Sequence, residues 1–305
     1  MINVSEYQAR RSRHGFILVA VLWILSGLAV LAAVYTLYVV NSASALSVNN
    51  DRLQANSSIS AALELTSFYL GAIKPEERPT SGEFNFRTVN SSVAVAFKTE
   101  AARIDLNMAP PPLLAALFTS FGASPEAAKS YADRIIGWRA YGNSSNLDAL
   151  QADNPEITAY RNAGLTYNPR QGPFANVQEL WLVLGLPAPL VQRVLPHVTV
   201  FSGMPTINVM DAAPEVIAAL PGMTPERLDA VLQQRAAAPS RPEAVQQLLG
   251  PAQGQATLTG SPSVRVTVAV ALAKGRRVNA EVVIVPLDEA IDPYRVLSWT
   301  DDIDN

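Results

Sequence analysis

Residues 11–40 read Arg11-Ser-Arg13-His14-Gly15-Phe16-Ile-Leu-Val-Ala20-Val-Leu-Trp-Ile-Leu-Ser-Gly-Leu-Ala-Val30-Leu-Ala-Ala-Val-Tyr-Thr-Leu-Tyr-Val-Val40, and no Asp, Glu, Lys or Arg occurs from Gly15 to Asn50. At about 1.5 Å per helical residue, Phe16 to Val40 spans roughly 37 Å, enough to cross a hydrocarbon core of about 30 Å. A cleaved secretory signal has a shorter apolar core, about 7–15 residues. Arg10, Arg11, Arg13 and His14 lie in front of the run and hold that end in the cytoplasm, so the remainder is exported. By segment alone, a plain signal anchor and a signal peptide cut near Ser42-Ala43-Ser44-Ala45 both remain open.

The rest of the composition narrows the function class. The chain has 305 residues, 49% hydrophobic and 16% charged, against roughly 25% charged in an ordinary soluble domain. It is long enough for one or two domains with real cores. With no cysteine, thiol nucleophiles, sulfur-bound zinc, iron–sulfur clusters and disulfides are excluded. Only His14 and His197 are available for imidazole chemistry, and no phosphate-binding loop, metalloprotease or nucleophile-elbow motif is present. The expectation is a protein that is not an enzyme.

Beyond the apolar run the pattern stays helical. Ile59, Leu63, Thr66 and Leu70 fall on one helix face, and Gly71 and Pro75 stop it. One long helix is therefore expected from about Phe16 to Leu70. Phe84–Val89 and Val93–Thr99 alternate as two strands joined at Asn90-Ser91, and Ser263–Ala271 with Arg277–Val285 form a hairpin around Lys274-Gly275. Between these lies a Pro- and Ala-rich region with an internal repeat. Residues 104–117, Ile-Asp-Leu-Asn-Met-Ala-Pro-Pro-Pro-Leu-Leu-Ala-Ala-Leu, align without gaps to residues 207–220, Ile-Asn-Val-Met-Asp-Ala-Ala-Pro-Glu-Val-Ile-Ala-Ala-Leu. Each copy leads into a Gly-x-Ser/Thr-Pro-Glu turn, Gly122–Glu126 or Gly222–Glu226, where Pro behind a Ser/Thr cap starts a helix. A weaker third unit runs from Phe174 through Glu179-Leu180 and Gly185 to Leu195. These are helix-hairpin-helix units.

The junction Arg11-Ser-Arg-His-Gly15-Phe16, a basic leader ending in Gly before an aromatic and unbroken hydrophobics, resembles a type IV prepilin or pseudopilin leader. The resemblance implies cleavage by prepilin peptidase between Gly15 and Phe16, with N-methylation of Phe16. That family carries Glu at the fifth mature position, where this chain has Ala20. A carboxylate there is costly in lipid unless it meets a charge, such as a neighbouring subunit's terminal ammonium. The missing glutamate, the paired motifs Ile104–Pro110 and Ile207–Pro214, Leu220-Pro-Gly-Met223 and Phe174–Leu180 together resemble K-type minor pseudopilins of the type II secretion system (the GspK family).

The resemblance implies an α+β fold, a long N-terminal helix on an antiparallel sheet with a large helical domain inserted. It divides the chain into leader 1–15, helix 16–72 with its transmembrane part at 16–40, sheet 73–103, inserted helical domain 104–205, second helix-hairpin-helix unit 206–250, and closing sheet 251–305 with an acidic tail. It further implies a single-pass inner-membrane protein, N-terminus cytoplasmic and body periplasmic, at the tip of the pseudopilus. Its partners would be I-type and J-type minor pseudopilins, then the H-type or major pseudopilin, the inner-membrane assembly platform and prepilin peptidase. An anchored protein whose helical domain binds another envelope partner, or DNA, is the alternative. Against DNA, removing the leader moves the net charge from −3 to −5, and Lys occurs only at 74, 98, 129 and 274; a phosphate binder concentrates basic charge.

Six acids, Asp288, Glu289, Asp292, Asp301, Asp302 and Asp304, stand against Arg295 in the last 18 residues. They read as a solvated acidic tail, with calcium as the cofactor they could hold; no other cofactor is expected. His197 reads as packing or hydrogen bonding, Asp105, Asp211 and Glu215 as caps and dipole partners near helix starts, and Trp138 and Trp181 as core. An exposed aromatic there would instead point to a docking surface. Asn56-Ser-Ser, Asn90-Ser-Ser and Asn143-Ser-Ser match the glycosylation pattern, which arises readily by chance.

Overall fold

The computed structural model describes residues 11–140, 155–238, 241–273, 275–287 and 291–302. Leader residues 1–10, Asn143, Lys274, Asp288, Glu289 and Asp304 lie outside them. The chain divides into two compact units, residues 1–57 and 58–305, and helix α1 (Arg11–Gly71) begins in the first and ends in the second.

In the first unit, Phe16–Ser42 is long and apolar enough to cross a membrane. Its large side chains are exposed all round, Phe16 and Trp23 by more than three quarters. This is the pattern of a helix whose solvent is hydrocarbon.

In the second unit α1 becomes amphipathic. Ile59, Leu63, Thr66 and Leu70 are all buried, on the one face that the spacing predicts. Thr66 stays within that face by donating its hydroxyl to the Ala62 carbonyl at 2.8 Å. The helix stops at Gly71, where Arg78 Nε donates to the Leu70 and Ile73 carbonyls at 2.8 and 3.1 Å, satisfying oxygens that a helix end leaves without partners.

Strands β1 (Ser81–Arg87) and β2 (Ser91–Thr99) follow as a hairpin. The helical region then opens with β3 (Ile104–Asp105), α2 (Pro111–Ser120), α3 (Pro125–Arg139), α4 (Pro155–Asn162), α5 (Ala188–Val194) and β4 (Val198–Thr199). It continues through β5 (Ile207–Asn208), α6 (Pro214–Ala218), α7 (Pro225–Ala237), α8 (Pro242–Leu248) and β6 (Ala256–Thr257). Strands β7 (Val264–Leu272), β8 (Arg277–Pro286) and β9 (Tyr294–Asp302) complete the chain. The sheet order is β1-β2-β7-β8-β9, antiparallel throughout, with the helical region set between its second and third strands.

Alternation in β2 and β7 puts Val93, Val95, Phe97, Val266, Val268 and Val270 on the buried face, while Ala94, Ala96, Ala269 and Ala271 look outward. The helical region has its own apolar core, from Ile104 to Leu258, centred on Leu113, Leu117, Phe118, Ile135, Trp138, Tyr160, Leu180, Val216 and Ile217. Both repeat copies contribute to it. No residue of α1 or of the five-stranded sheet belongs to it.

The C-terminus differs from the sequence reading. Tyr294–Asp302, read as part of a solvated acidic tail, is instead the fifth strand, paired along β8. A register shift opposite Val283/Ile284 passes over Leu297. Such a bulge breaks the period of two that would have announced a strand.

Candidate functional site

The two repeat copies are the same local device built twice. In the first, Asp105 Oδ1 accepts from the Asn107 amide at 2.8 Å; in the second, Asn208 Oδ1 accepts from the Met210 amide at 2.9 Å. Each is an Asx turn that bends the chain out of a two-residue parallel strand pair into a helix. The second helix of each copy then starts on a Ser or Thr cap, Ser124 Oγ or Thr224 Oγ1, each accepting an amide at 3.3 Å. Near its end sits an arginine. Arg139 donates to the carbonyls of Leu106 and Ala109, and Arg235 to those of Val209 and Ala212. These are equivalent oxygens of the two turns.

Gly122, Gly185 and Gly222 occupy the three hairpins with φ of 91°, 81° and 67°. Nearby arginines are engaged within the protein: Arg193 donates to the Phe121 carbonyl and stacks over its ring, and Arg227 donates to the Gly222 carbonyl at 3.0 Å. Hairpins of this kind would need such groups pointing outward to clamp phosphates.

The other sequence-derived candidates separate in space. Gly15 and Phe16 lie in α1, and Ala20 stands one turn on, in a stretch without charge. Of the acidic candidates, Asp301 and Asp302 are neighbours on β9, opposite Ala280 and Asn279, so their side chains point to opposite faces of the sheet. Asp292 precedes the strand's other end, about nine residues and on the order of 30 Å away. These three do not converge on one ion, and no group of three or more metal-ligating side chains occurs among the described residues.

Trp138 is buried, with Nε1 donating to Glu179 at 3.0 Å. Trp181, expected in the core, is 44% exposed. It lies in the 3-10 helix Val177–Leu182, whose three residues per turn bury Leu180 and turn its neighbours outward. Asp211 does not cap a helix; its carboxylate accepts the Ser81 hydroxyl from β1 at 2.6 Å. Glu215 does sit in the first turn of α6. The His197 ring packs 5.0 Å from Phe121, and burial pushes its imidazole below the ordinary range, against Glu215.

Sequence reasoning missed one cluster entirely. Glu100, fully buried in the turn after β2, accepts from Arg265 Nε at 2.6 Å and Nη2 at 3.1 Å, from Arg103 Nη1 at 3.3 Å and from the Thr199 hydroxyl. Arg265 also pairs with Glu281, and Arg103 Nε donates to the Pro196 carbonyl at 3.0 Å. Burial, with the neighbouring Arg265, pushes the Arg103 guanidinium below its ordinary range, whereas at Arg265 the bonds and charges of Glu100 and Glu281 outweigh burial and raise it. These partners are up to 165 residues apart, so no local pattern could have announced them.

Residues 82–203 match the family model described as type II secretion system (T2SS), protein K. The structure is similar to a chain from the GspK-GspI-GspJ complex of enterotoxigenic Escherichia coli. The TM-score is 0.58 and the identity 17%, over 87% of this chain and all of that one. No curated protein matches the chain in sequence. The helical region set between β2 and β7, the match over its first part and the fold shared along most of the chain make this protein similar to the K-type protein of type II secretion.

Proposed function

We propose that this protein is a minor pseudopilin, cut between Gly15 and Phe16 by prepilin peptidase and methylated on Phe16. It is held in the inner membrane by Phe16–Ser42, with its N-terminus cytoplasmic and its body periplasmic. It packs against I-type and J-type minor pseudopilins to form the tip that starts a pseudopilus, above the H-type or major pseudopilin and the assembly platform. The observation that carries this reading is the helical region of residues 104–257 between the second and third strands of the sheet. A body of that bulk does not repeat along a shaft.

Ala20 adds a second reason. A side chain without charge offers nothing to the terminal ammonium of another subunit, and a charge left in lipid without a partner is costly. A subunit that needs no such pairing above it belongs at the end of a filament. The named contents of the similar complex support I-type and J-type partners.

The test is intact mass and N-terminal sequencing of membrane-extracted protein from cells with and without prepilin peptidase. A start at Phe16 that requires the peptidase is expected. A start at Met1 in both strains would leave a plain anchor, and a start near Leu46 would overturn the tip assignment. Co-purification with the two minor partners, lost when Phe16–Ser42 is replaced by an unrelated apolar helix, tests the assembly half separately.

A further inference from the structure

No residue of the sheet belongs to the apolar core of the helical region, so contacts outside that core help to fix one against the other. Between them, beside the buried Ala101 and Ala102, runs a set of polar contacts. On the sheet side stand Thr99, Glu100, Ser261, Ser263 and Arg265; on the helical side, Arg103, Thr199 and Phe201. The Glu100 amide donates to the Ser263 carbonyl at 3.1 Å, and Ser263 Oγ donates to the Phe201 carbonyl at 2.6 Å. The Phe201 amide in turn donates to Thr199 Oγ1 at 3.1 Å.

The charged contacts of this seam converge on Glu100, while Ser81 and Asp211 join the sheet to the second copy separately. The Glu100 carboxylate takes two donors from Arg265 at the start of β7, one from Arg103 where the chain leaves the sheet, and one from Thr199 in β4 where it returns. Four donors fill the four acceptor positions a carboxylate offers. The sheet and both crossings of the first helical segment thus meet on two oxygen atoms.

A buried ion pair adds little net stability over a well-packed apolar cluster, because desolvation opposes the attraction. What it adds is direction, since a bidentate guanidinium–carboxylate contact holds only in one geometry. We infer that Glu100 is a positioning residue, fixing a single orientation of the helical region on the sheet. That this orientation is what partner subunits read rests on the proposed function; the positioning itself does not.

The test uses the full-length protein in detergent, with spin labels on Ser92→Cys in β2 and Ser130→Cys in α3. Both sites are exposed, and the chain has no cysteine of its own. Pulsed electron–electron distance measurement is expected to give one narrow distribution. With Glu100→Met and Arg265→Met added together, the protein should stay folded and the distribution should broaden at least twofold or split. A narrow distribution at the original distance in that variant would overturn the inference. Should the double variant fail to fold, Thr199→Val decides, since it removes the hydroxyl that donates to Glu100 and, with it, the acceptor of the Phe201 amide, while leaving the ion pairs in place: broadening supports the positioning role, and an unchanged distribution overturns it. The measurement needs no partner. Loss of I-type and J-type binding by about tenfold in a broadened variant would extend the role to assembly, whereas full binding would confine it to the geometry of this chain.

Discussion

The two repeat copies share an Asx turn, a proline-led helix, a hairpin glycine, a Ser/Thr cap and an arginine that returns to the turn, yet they are buried very differently. In the first, α2 buries Leu113, Leu114, Leu117 and Phe118, and α3 buries Ala128, Ala132, Ile135 and Trp138. In the second, α6 is half as long and buries Val216 and Ile217, while α7 buries only Val231. One set of local rules therefore makes both the centre and the flank of a domain. Caps and turns specify the shape of a unit; side-chain size on the inner face specifies how deep it sits.

The contrast in depth is the easiest to break. Leu117→Ala empties a fully enclosed site and is expected to cost about 3–5 kcal/mol, whereas Leu228→Ala, on a half-buried position of α7, should cost about 1–2 kcal/mol. Urea unfolding of the two variants measures the gap. Equal losses would mean that the copies carry equal shares of the core.

The arginines should behave alike despite that difference. Arg139→Met and Arg235→Met each leave two turn carbonyls without their donor, at an expected cost of about 1–3 kcal/mol. A loss confined to Arg139 would show that the second turn holds its shape without the clamp.

The glycines reverse the ranking. Alanine at either Gly122 or Gly222 must adopt a left-handed backbone, costing about 1–2 kcal/mol. A Cβ at Gly122 meets nothing within 4 Å, while one at Gly222 meets Pro251 Cγ at 3.2 Å. Gly222→Ala is thus expected to be the worse of the two by a few tenths of a kcal/mol or more, read by thermal denaturation.

Much of this was legible in advance, and the reason is range. The amphipathic face of α1, strands β1, β2, β7 and β8, the proline starts and the repeat itself rest on residues a few positions apart, where spacing and cap chemistry decide conformation. The features that stayed hidden depend on distant residues or on a broken period. Trp181 follows a helical spacing but sits in a 3-10 turn. Strand β9 lost its alternation at Leu297. Glu100 meets Arg265 and Thr199 only through the fold, 165 and 99 residues away in sequence, and nothing around residue 100 distinguishes it from a surface acid. Asp211 joins the second copy to β1 through Ser81, 130 residues away. Local chemistry announces the units, and long-range polar contacts decide how the units are joined.

The finest contrast between the copies is one atom type. Asp105 is charged where Asn208 is neutral, and its second oxygen accepts the Gly203 amide at 2.7 Å, whereas the Asn208 amide donates to the Leu258 and Thr259 carbonyls. Burial raises the Asp105 carboxyl above its ordinary range, and the amides of Gly203, Asn107 and Met108 together with Arg139 only partly offset it. The folded state therefore binds this proton more readily than the unfolded chain does. Its contribution to stability is fully present below the unfolded value of about 3.9 and is lost as pH rises through the raised folded value. Asp105→Asn removes that loss and keeps the Asx turn, but sets an amide against the Gly203 N–H at a cost of about 1 kcal/mol at every pH. The difference in melting temperature between wild type and Asp105→Asn, followed from pH 3.5 to 7, should accordingly slope in favour of the variant as pH rises, on top of a constant deficit. A flat difference would mean that the carboxyl titrates as it does in the unfolded chain, and that charge does not distinguish the two turns.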